Sequence, residues 1–261
     1  MRARIYNEEQ KKYYISEVYG IINRAGDWYI VDDSVQKEKL VLVEYLNFKT
    51  SSPYKVNIEI IDYNPINSDE WLNISRDEMN TINKKIKNSR ELHYFRGYKK
   101  IWEETELLID LLEGGIVDKI KFDIKNLSSK LEGWNYIESN SDIDYLMKEY
   151  AGFHDAILKE MSYVSGEYVN NDGMRLNPIG NKQIKLVYNS DWAEEIEMVL
   201  LSPRICHIVP GEENYMSVLY DASMFIKDCM VYFYDSYIED ITYDYSGTYF
   251  KVLGIRWRYV K

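Results

Sequence analysis

A histidine and a carboxylate stand side by side at His154-Asp155, directly after an Ala-Gly pair that predicts the end of a helix. An imidazole with its ordinary pKa of about 6.5 can act as a general base when a carboxylate orients it. Adjacent strand residues point to opposite faces, so a direct relay within the pair requires the freer geometry of a helix-to-strand junction. Otherwise His154 would need a distant carboxylate. The structural alternative is that His154 bonds to the backbone, while Asp155 caps a segment or pairs with a basic side chain.

A second pair, Cys206-His207, has the residue types of a thiol nucleophile and its base. It lies within the apolar run 205–209, which predicts a buried strand with thiol and imidazole on opposite faces. A cysteine hydrolase or acyltransferase would then need a base from elsewhere, such as His154. If the chain is an enzyme, we therefore expect a hydrolase that uses His154 with Asp155 or Cys206. A buried Cys206 would instead serve as a small hydrophobic core residue.

Carboxylates and aromatic rings are interleaved between residues 232 and 245. Such a segment can contact a basic partner, stack a sugar ring, or form a solvated hairpin whose tyrosines pack across strands. Its carboxylates could ligate a hard cation, but their spacing does not match a calcium loop. The side chains expected to make the contacts are Tyr234, Asp235, Tyr237, Glu239, Asp240, Tyr243 and Asp244.

The composition argues against several classes of protein. A net charge of −11 and the lack of a basic stretch disfavour binding to nucleic acid. Three histidines and the absence of nucleotide, zinc and hydrolase motifs give no support for a metal or cofactor, so we expect none. Two cysteines form no disulfide framework. No secretion signal or spanning apolar run is evident, so we expect a cytoplasmic protein that does not bind membranes.

The first half of the chain predicts a small antiparallel sheet followed by helices. Runs of β-branched and aromatic residues predict the strands, at 28–31 before a turn at Asp32-Asp33, and at 39–46, 54–61 and 116–124. A capping box at residues 75–78 predicts one helix, and an apolar stripe over 101–112 predicts a second.

The second half predicts one helix followed by closely spaced strands. Ser141-Asp142 has the residue types of a helix start. Alternation then predicts strands at 158–169, 182–189, 194–201, 204–209, 216–225, 228–234 and 250–259, with a turn at 170–173. This pattern favours an antiparallel sheet, sandwich or partly closed barrel. In the last strand, alternate positions differ in character. The odd-numbered positions include Tyr249, Leu253, Ile255, Trp257 and Tyr259, and the even-numbered positions include Arg256 and Arg258.

The element Phe153-His154-Asp155-Ala156, followed by a β-rich stretch that ends in Ile255-Arg256-Trp257-Arg258, resembles a loose group of small bacterial proteins. In these, an F-H-D-[S/A] element opens an antiparallel β domain and a W-R pair ends it. Some resemble immunity proteins, which neutralise a secreted toxin inside the producing cell. The resemblance implies a cytoplasmic binding protein without catalysis and assigns no role to any residue.

Together the patterns predict an α+β protein. We expect an N-terminal α+β unit at 1–125, a linker at 126–140 and an antiparallel β-rich C-terminal unit with one helix at 141–261. The leading hypothesis is a non-catalytic protein that binds a basic protein partner, such as a toxin that it neutralises. A small hydrolase using His154, and a carbohydrate or peptide binder using exposed tyrosines, stay open as alternatives.

Overall fold

The computed structural model describes residues 2–7, 10–24, 27–36, 39–45, 58–62, 72–73, 121–122, 128–171, 173–175, 182–209 and 218–260. Within these residues the fold is mostly antiparallel β-sheet, with one α-helix. The chain divides into two units. Residues 1–59 and 64–130 form the first unit, and residues 60–63 and 131–261 form the second.

The first unit contains an antiparallel sheet in which β1–β4 pair in chain order. The strands are β1 (Arg2–Asn7), β2 (Lys12–Arg24), β3 (Asp27–Gln36), β4 (Lys39–Tyr45) and β5 (Ile58–Asp62), which begins in this unit. Their order across the sheet is β4-β3-β2-β1-β5. Two short strands, β6 (Leu72–Asn73) and β7 (Lys121–Phe122), pair separately.

The structure confirms the predicted strands at β3, β4 and β5 but adds β1 and β2, which the sequence pattern did not indicate. In β1, Arg2 and Arg4 are buried, so the strand lacks the apolar alternation that marks a half-buried strand. Arg4 pairs with Glu59 and lies over the Tyr13 ring, which compensates for its burial. The expected turn at Asp32-Asp33 was wrong, because β3 continues to Gln36 through an irregularity in its pairing. The helices predicted from residue 75 and over 101–112 lie outside the described residues.

The second unit is built on an eight-stranded sheet. In chain order its elements are β8 (Asn135–Ile137), the helix α1 (Asn140–Glu149), a 3-10 turn (Ala151–Phe153), β9 (Ala156–Val164), β10 (Tyr168–Asn170), β11 (Gly173–Arg175), β12 (Gln183–Ser190), β13 (Ile196–His207), β14 (Val218–Leu219), β15 (Ser223–Lys227), β16 (Met230–Tyr234) and β17 (Tyr249–Tyr259). The sheet order is β14-β9-β12-β13-β17-β16-β15, and β8 also pairs with β17.

One face of this sheet packs against α1 and the 3-10 turn. The core contains Leu146, Tyr150 and Phe153 from these elements, all fully buried, together with apolar residues of the central strands. The predicted helix is confirmed, although it begins at Asn140. Ser139 is its N-cap, and Asp142 completes a capping box with it.

Two predicted strands, 194–201 and 204–209, are a single strand, β13, with a bulge near its middle. Ser202 there has a left-handed φ of 48°, and the pairing with β17 shifts between Pro203 and Ile205. The core residues of β17 change parity along the strand. Phe250 and Val252 precede Leu253 and Gly254, and Ile255 and Trp257 follow them.

The remaining strand boundaries differ from prediction where the chain turns. The strand expected at 158–169 ends at Val164, and the turn after Asn170 is confirmed by the β10–β11 hairpin. The strand expected at 216–225 is interrupted at residues 220–222, and the start of the 228–234 strand is a two-residue turn. The predicted linker 126–140 contains β8, which pairs with β17, and the Ser139 helix cap.

Residues 60–63 add a short segment to the second unit. Ser202 donates a hydrogen bond to the carbonyl oxygen of Ile60 (2.8 Å), and Arg256 forms a buried ion pair with Asp62 (2.6 Å). Ile61 lies so close to Gly254 that a Cβ at this glycine would stand 2.8 Å from the Ile61 Cγ2 atom. A residue without a side chain is therefore required at position 254.

Candidate functional site

The F-H-D element is a strained turn that presents two polar side chains at the surface. Ala151, Phe153 and Asp155 all have left-handed φ angles, between 49° and 66°, which are uncommon for residues other than glycine. The Phe153 ring holds the turn in place, because it is fully buried and contacts the rings of Tyr150, Tyr188 and Phe233. Such clustered strain occurs often at functional sites, and here it places His154 and Asp155 in solvent.

His154 is held by the backbone in one tautomer. Its Nδ1 lies 2.9 Å from the carbonyl oxygen of Tyr220, and since a carbonyl only accepts, Nδ1–H is the donor. In the neutral ring, Nε2 therefore carries the lone pair. Nε2 lies 3.7 Å from Asp155 Oδ2, so the two neighbouring side chains approach each other at this junction. His154 therefore makes the bond to the backbone that we considered as the structural alternative, and its other ring nitrogen is not used by the backbone.

Asp155 binds a tryptophan rather than a basic side chain. The Trp192 indole N–H donates to Asp155 Oδ2 (3.0 Å), and the Trp192 backbone N–H donates to Ser190 Oγ (3.1 Å). Ser190 Oγ in turn donates to the carbonyl oxygen of His154 (3.2 Å). The turns around residues 154, 192 and 220 therefore form one connected surface cluster. Trp192 was not among the predicted site residues. Its position between two predicted strands, where a large aromatic side chain is unusual, could have indicated it.

Cys206 is exposed, contrary to the expectation of a buried core thiol. It lines an open cavity of about 330 Å³ together with Met161, Tyr163, Ile184, Pro203, Arg204 and Ile205. Partial desolvation raises the pKa of the Cys206 thiol, which disfavours the reactive thiolate. The neighbouring His207 is used locally, since its Nδ1 donates to the carbonyl oxygen of Gly247 (2.9 Å).

The structure does not bring Cys206 and His154 together. His154 precedes Ala156, which pairs with Ser190 at one end of β12. Cys206 follows Leu201, which pairs with Gln183 at the other end of β12. At about 3.3 Å per residue, the length of β12 alone separates the two ends by about 23 Å. A nucleophile–base pair made of these two side chains is therefore ruled out by the register.

The acidic–aromatic loop, residues 235–248, joins β16 to β17. The tyrosine hairpin considered as an alternative is present only at the base of the loop, where β16 pairs with β17 and Tyr234 stacks on Tyr249. The chain between these two tyrosines forms no strand. Of the predicted contact residues, Tyr234 is fully buried, and Asp235 is used internally by Tyr245 and Thr248. The other five are exposed, and these are Tyr237, Glu239, Asp240, Tyr243 and Asp244.

Buried side chains fix the backbone of this loop. The Tyr234 hydroxyl donates to the carbonyl oxygen of Thr242 (2.8 Å) and accepts from the Thr242 N–H (3.2 Å). Ser223 Oγ accepts from the N–H of Ile238 (2.8 Å). Desolvation and the hydrogen bond to Asp235 raise the pKa of Tyr245 to about 12, so this hydroxyl stays a donor at neutral pH. The exposed side chains are thus presented from a rigid backbone.

The loop and its flanking residues 234–250 contain no lysine or arginine. Lys251 of β17 lies beside two rings: its Nζ is 5.3 Å from the Tyr232 ring centroid and 5.8 Å from that of Tyr243. Among the described residues, no ion pair engages Glu239, Asp240 or Asp244. The loop therefore presents uncompensated negative charge beside exposed aromatic rings.

Comparisons with known proteins give no further guide: no family model, curated protein or solved structure matches this chain. Within the described ranges, no three His, Cys, Asp or Glu side chains are grouped as metal ligands. In the same part of the chain, every helix is too short or too polar to cross a membrane.

Proposed function

We propose that the protein is a non-catalytic binding protein for a basic protein partner, and that the acidic–aromatic loop is its contact surface. The observation that carries this proposal is the rigid presentation of exposed aromatic rings. Tyr237 and Tyr243 are 66% and 56% exposed, while their loop is fixed by hydrogen bonds to Tyr234 and Ser223. A tyrosine held this way binds at low entropic cost, since little freedom remains to be lost.

Charge defines the kind of partner. Glu239, Asp240 and Asp244 flank the two exposed rings, and the whole chain carries a net charge of −11. Complementary charge accelerates association and excludes partners of the wrong sign. A partner with a lysine- or arginine-rich surface therefore fits this loop, whereas a nucleic-acid backbone does not.

We further propose that this partner is a toxin neutralised in the cytoplasm. This part of the proposal rests on the resemblance of the F-H-D and W-R elements to immunity-like proteins. It also rests on the two free cysteines, since thiols stay reduced in the cytoplasm. We also retain the α+β assignment of the first unit as a proposal, because its predicted helices lie outside the described residues.

The hydrolase alternative has weaker support. His154 and Cys206 lie at opposite ends of β12, and Asp155 Oδ2 already accepts the Trp192 indole N–H. A carbohydrate-binding role would use the same exposed rings, and carboxylates can accept hydrogen bonds from sugar hydroxyl groups, but a neutral sugar gives no reason for the net charge of −11.

Isothermal titration calorimetry with basic proteins encoded by the adjacent genes tests the proposal. We expect saturable binding by one of them that weakens as salt rises, because exposed charges are screened. Replacing Tyr237 and Tyr243 together by alanine should weaken binding at least about tenfold, as for central aromatic contacts. The control is Tyr145→Ala, which removes an exposed tyrosine from α1. Unchanged binding by the double variant, or no binding by any such protein, would contradict the proposal.

A further inference from the structure

A second group of exposed aromatic residues surrounds the strained F-H-D turn, and the proposed loop contact does not use it. Trp192 is 65% exposed and Tyr220 is 71% exposed. We call the region formed by residues 154–155, 190–192 and 220–222 the Trp192 surface. Tryptophan and tyrosine are among the residues most enriched at binding hot spots, so these two exposed rings are candidate contacts for a partner.

The Trp192 surface is held in place by hydrogen bonds between its three segments. Asp155 accepts the Trp192 indole N–H, Ser190 donates to the His154 carbonyl oxygen, and His154 Nδ1–H donates to that of Tyr220. The N–H of Ala222 also donates to the carbonyl oxygen of Gly152 (3.1 Å). Residues 190–192 and 220–222 are far from the F-H-D turn in sequence, yet both segments are bonded to it. The surface is therefore organised before any partner binds.

The Trp192 surface is also acidic. Asp191 and Asp221 are exposed, and the Asp155 side chain is 41% exposed. The segments 150–156, 188–195 and 218–226, which build this surface, contain no lysine or arginine. In the part of the chain that the structure describes, no lysine or arginine forms an ion pair with these three carboxylates, and His154 Nε2 lies 3.7 Å from Asp155 Oδ2. A cation is the ligand group that complements exposed aromatic rings surrounded by carboxylates.

The Trp192 surface continues into the acidic–aromatic loop. Ser223, which bonds Ile238 in the loop through its hydroxyl, follows three residues after Tyr220. Three residues of extended chain span at most about 11 Å, so the backbone of Tyr220 lies close to the loop next to Tyr237. The two acidic regions are thus neighbours in one unit, although about 80 residues separate His154 from the loop in the sequence.

We propose that the Trp192 surface binds arginine side chains of the same basic partner. A guanidinium group stacks on aromatic faces and can pair with a carboxylate at the same time, whereas a lysine ammonium is a more strongly hydrated point charge. Trp192 and Tyr220 supply the rings, and Asp155, Asp191 and Asp221 supply the carboxylates. This inference rests on the proposed function, and it assigns to the F-H-D turn the role of holding an arginine-binding surface.

Nuclear magnetic resonance of the indole N–H groups tests this inference without the partner. The probe is the peptide acetyl-(Gly-Arg)4-amide, and its control contains citrulline, a neutral analogue of the same shape, in place of arginine. Trp192→Phe identifies the Trp192 resonance among those of the six tryptophans. We expect the arginine peptide to shift the Trp192 resonance in a saturable manner and the citrulline peptide to leave it unmoved.

Charge-matched variants separate a defined site from general attraction to an acidic protein. Asp191→Asn with Asp221→Asn should weaken the peptide about fivefold or more, since each exposed ion pair contributes up to about fivefold. Glu132→Gln with Asp144→Asn removes the same charge from exposed positions outside this surface and should change the affinity by less than about twofold.

An unmoved Trp192 resonance, or equal weakening by both pairs of substitutions, would overturn the inference. Either outcome, together with retained calorimetric binding of a basic protein, would leave the proposed function standing. Absence of any binding in the calorimetric experiment would instead overturn the proposed function, so the two failures are distinguishable.

Discussion

At the scale of single residues, Tyr234 shows how a buried side chain can serve an exposed surface. Its sequence neighbourhood of aromatic and acidic residues predicted a contact residue, but the ring is fully buried and packs against Tyr245 and Tyr249. The sequence could not separate Tyr234 from Tyr237, because alternation ends with β16 and the loop that follows has no periodicity. The distinction depends on tertiary hydrogen bonds to Thr242.

Tyr234→Phe tests this role. The change removes one hydroxyl and leaves the Thr242 N–H and carbonyl oxygen without their partner, so the free energy of unfolding should fall by about 1–2 kcal/mol. Hydrogen exchange at the Thr242 amide should become faster, since this bond protects it. Tyr237→Phe is the matched control, because it deletes a hydroxyl from an exposed position in the same loop. Equal exchange rates at Thr242 in both variants would refute the role given to Tyr234.

At the scale of elements, regular strands could be predicted and the irregular points could not. The alternation of β12 and the apolar density of β17 identified both strands, since one or both faces of each are buried. The sequence pattern divided β13 at Ser202-Pro203, but it did not show that the chain continues there as one strand whose pairing with β17 shifts between Pro203 and Ile205. Hairpin turns that lack glycine are also difficult to predict from the sequence. In the β15–β16 turn, Asp228 and Cys229 have φ angles of 53° and 54°.

Cys229→Gly should stabilise the β15–β16 hairpin. Two-residue turns with two left-handed positions favour glycine at the second, and relief of the left-handed conformation of Cys229 should raise the free energy of unfolding by about 0.5–1 kcal/mol. Chemical denaturation measures the change. Cys229→Ala removes the same thiol but keeps a Cβ in the left-handed region, so it should bring no gain. An alanine variant as stable as the glycine variant would show that backbone strain is not the cause.

At the scale of the whole molecule, the contact surface assembles from segments that are distant in sequence. Four segments carry acidic side chains beside rings: 154–155, whose ring is the His154 imidazole, and 190–192, 220–222 and 235–248. Only the first and last of them were predicted from the sequence to belong to a site. The antiparallel order of the second sheet determines which turns become neighbours, and that order could not be inferred from strand positions alone.

The described part of the second unit offers a competing surface of different chemistry. Around β9 and the β10–β11 hairpin, the exposed apolar residues include Tyr163, Val164, Tyr168, Val169 and Met174. Exposed apolar patches also mark interaction sites, but these side chains select no sign of charge. The proposed basic partner should therefore leave them uncovered and cover the acidic surface instead.

Hydroxyl-radical footprinting of the complex with the basic partner distinguishes the two surfaces most directly, because mass spectrometry reports oxidation side chain by side chain. Our account predicts that Tyr237, Tyr243 and Trp192 become protected from oxidation when the partner binds, whereas Tyr163 and Met174 stay as reactive as in the unbound protein. Protection of Tyr163 and Met174 without protection of Tyr237 and Tyr243 would contradict it.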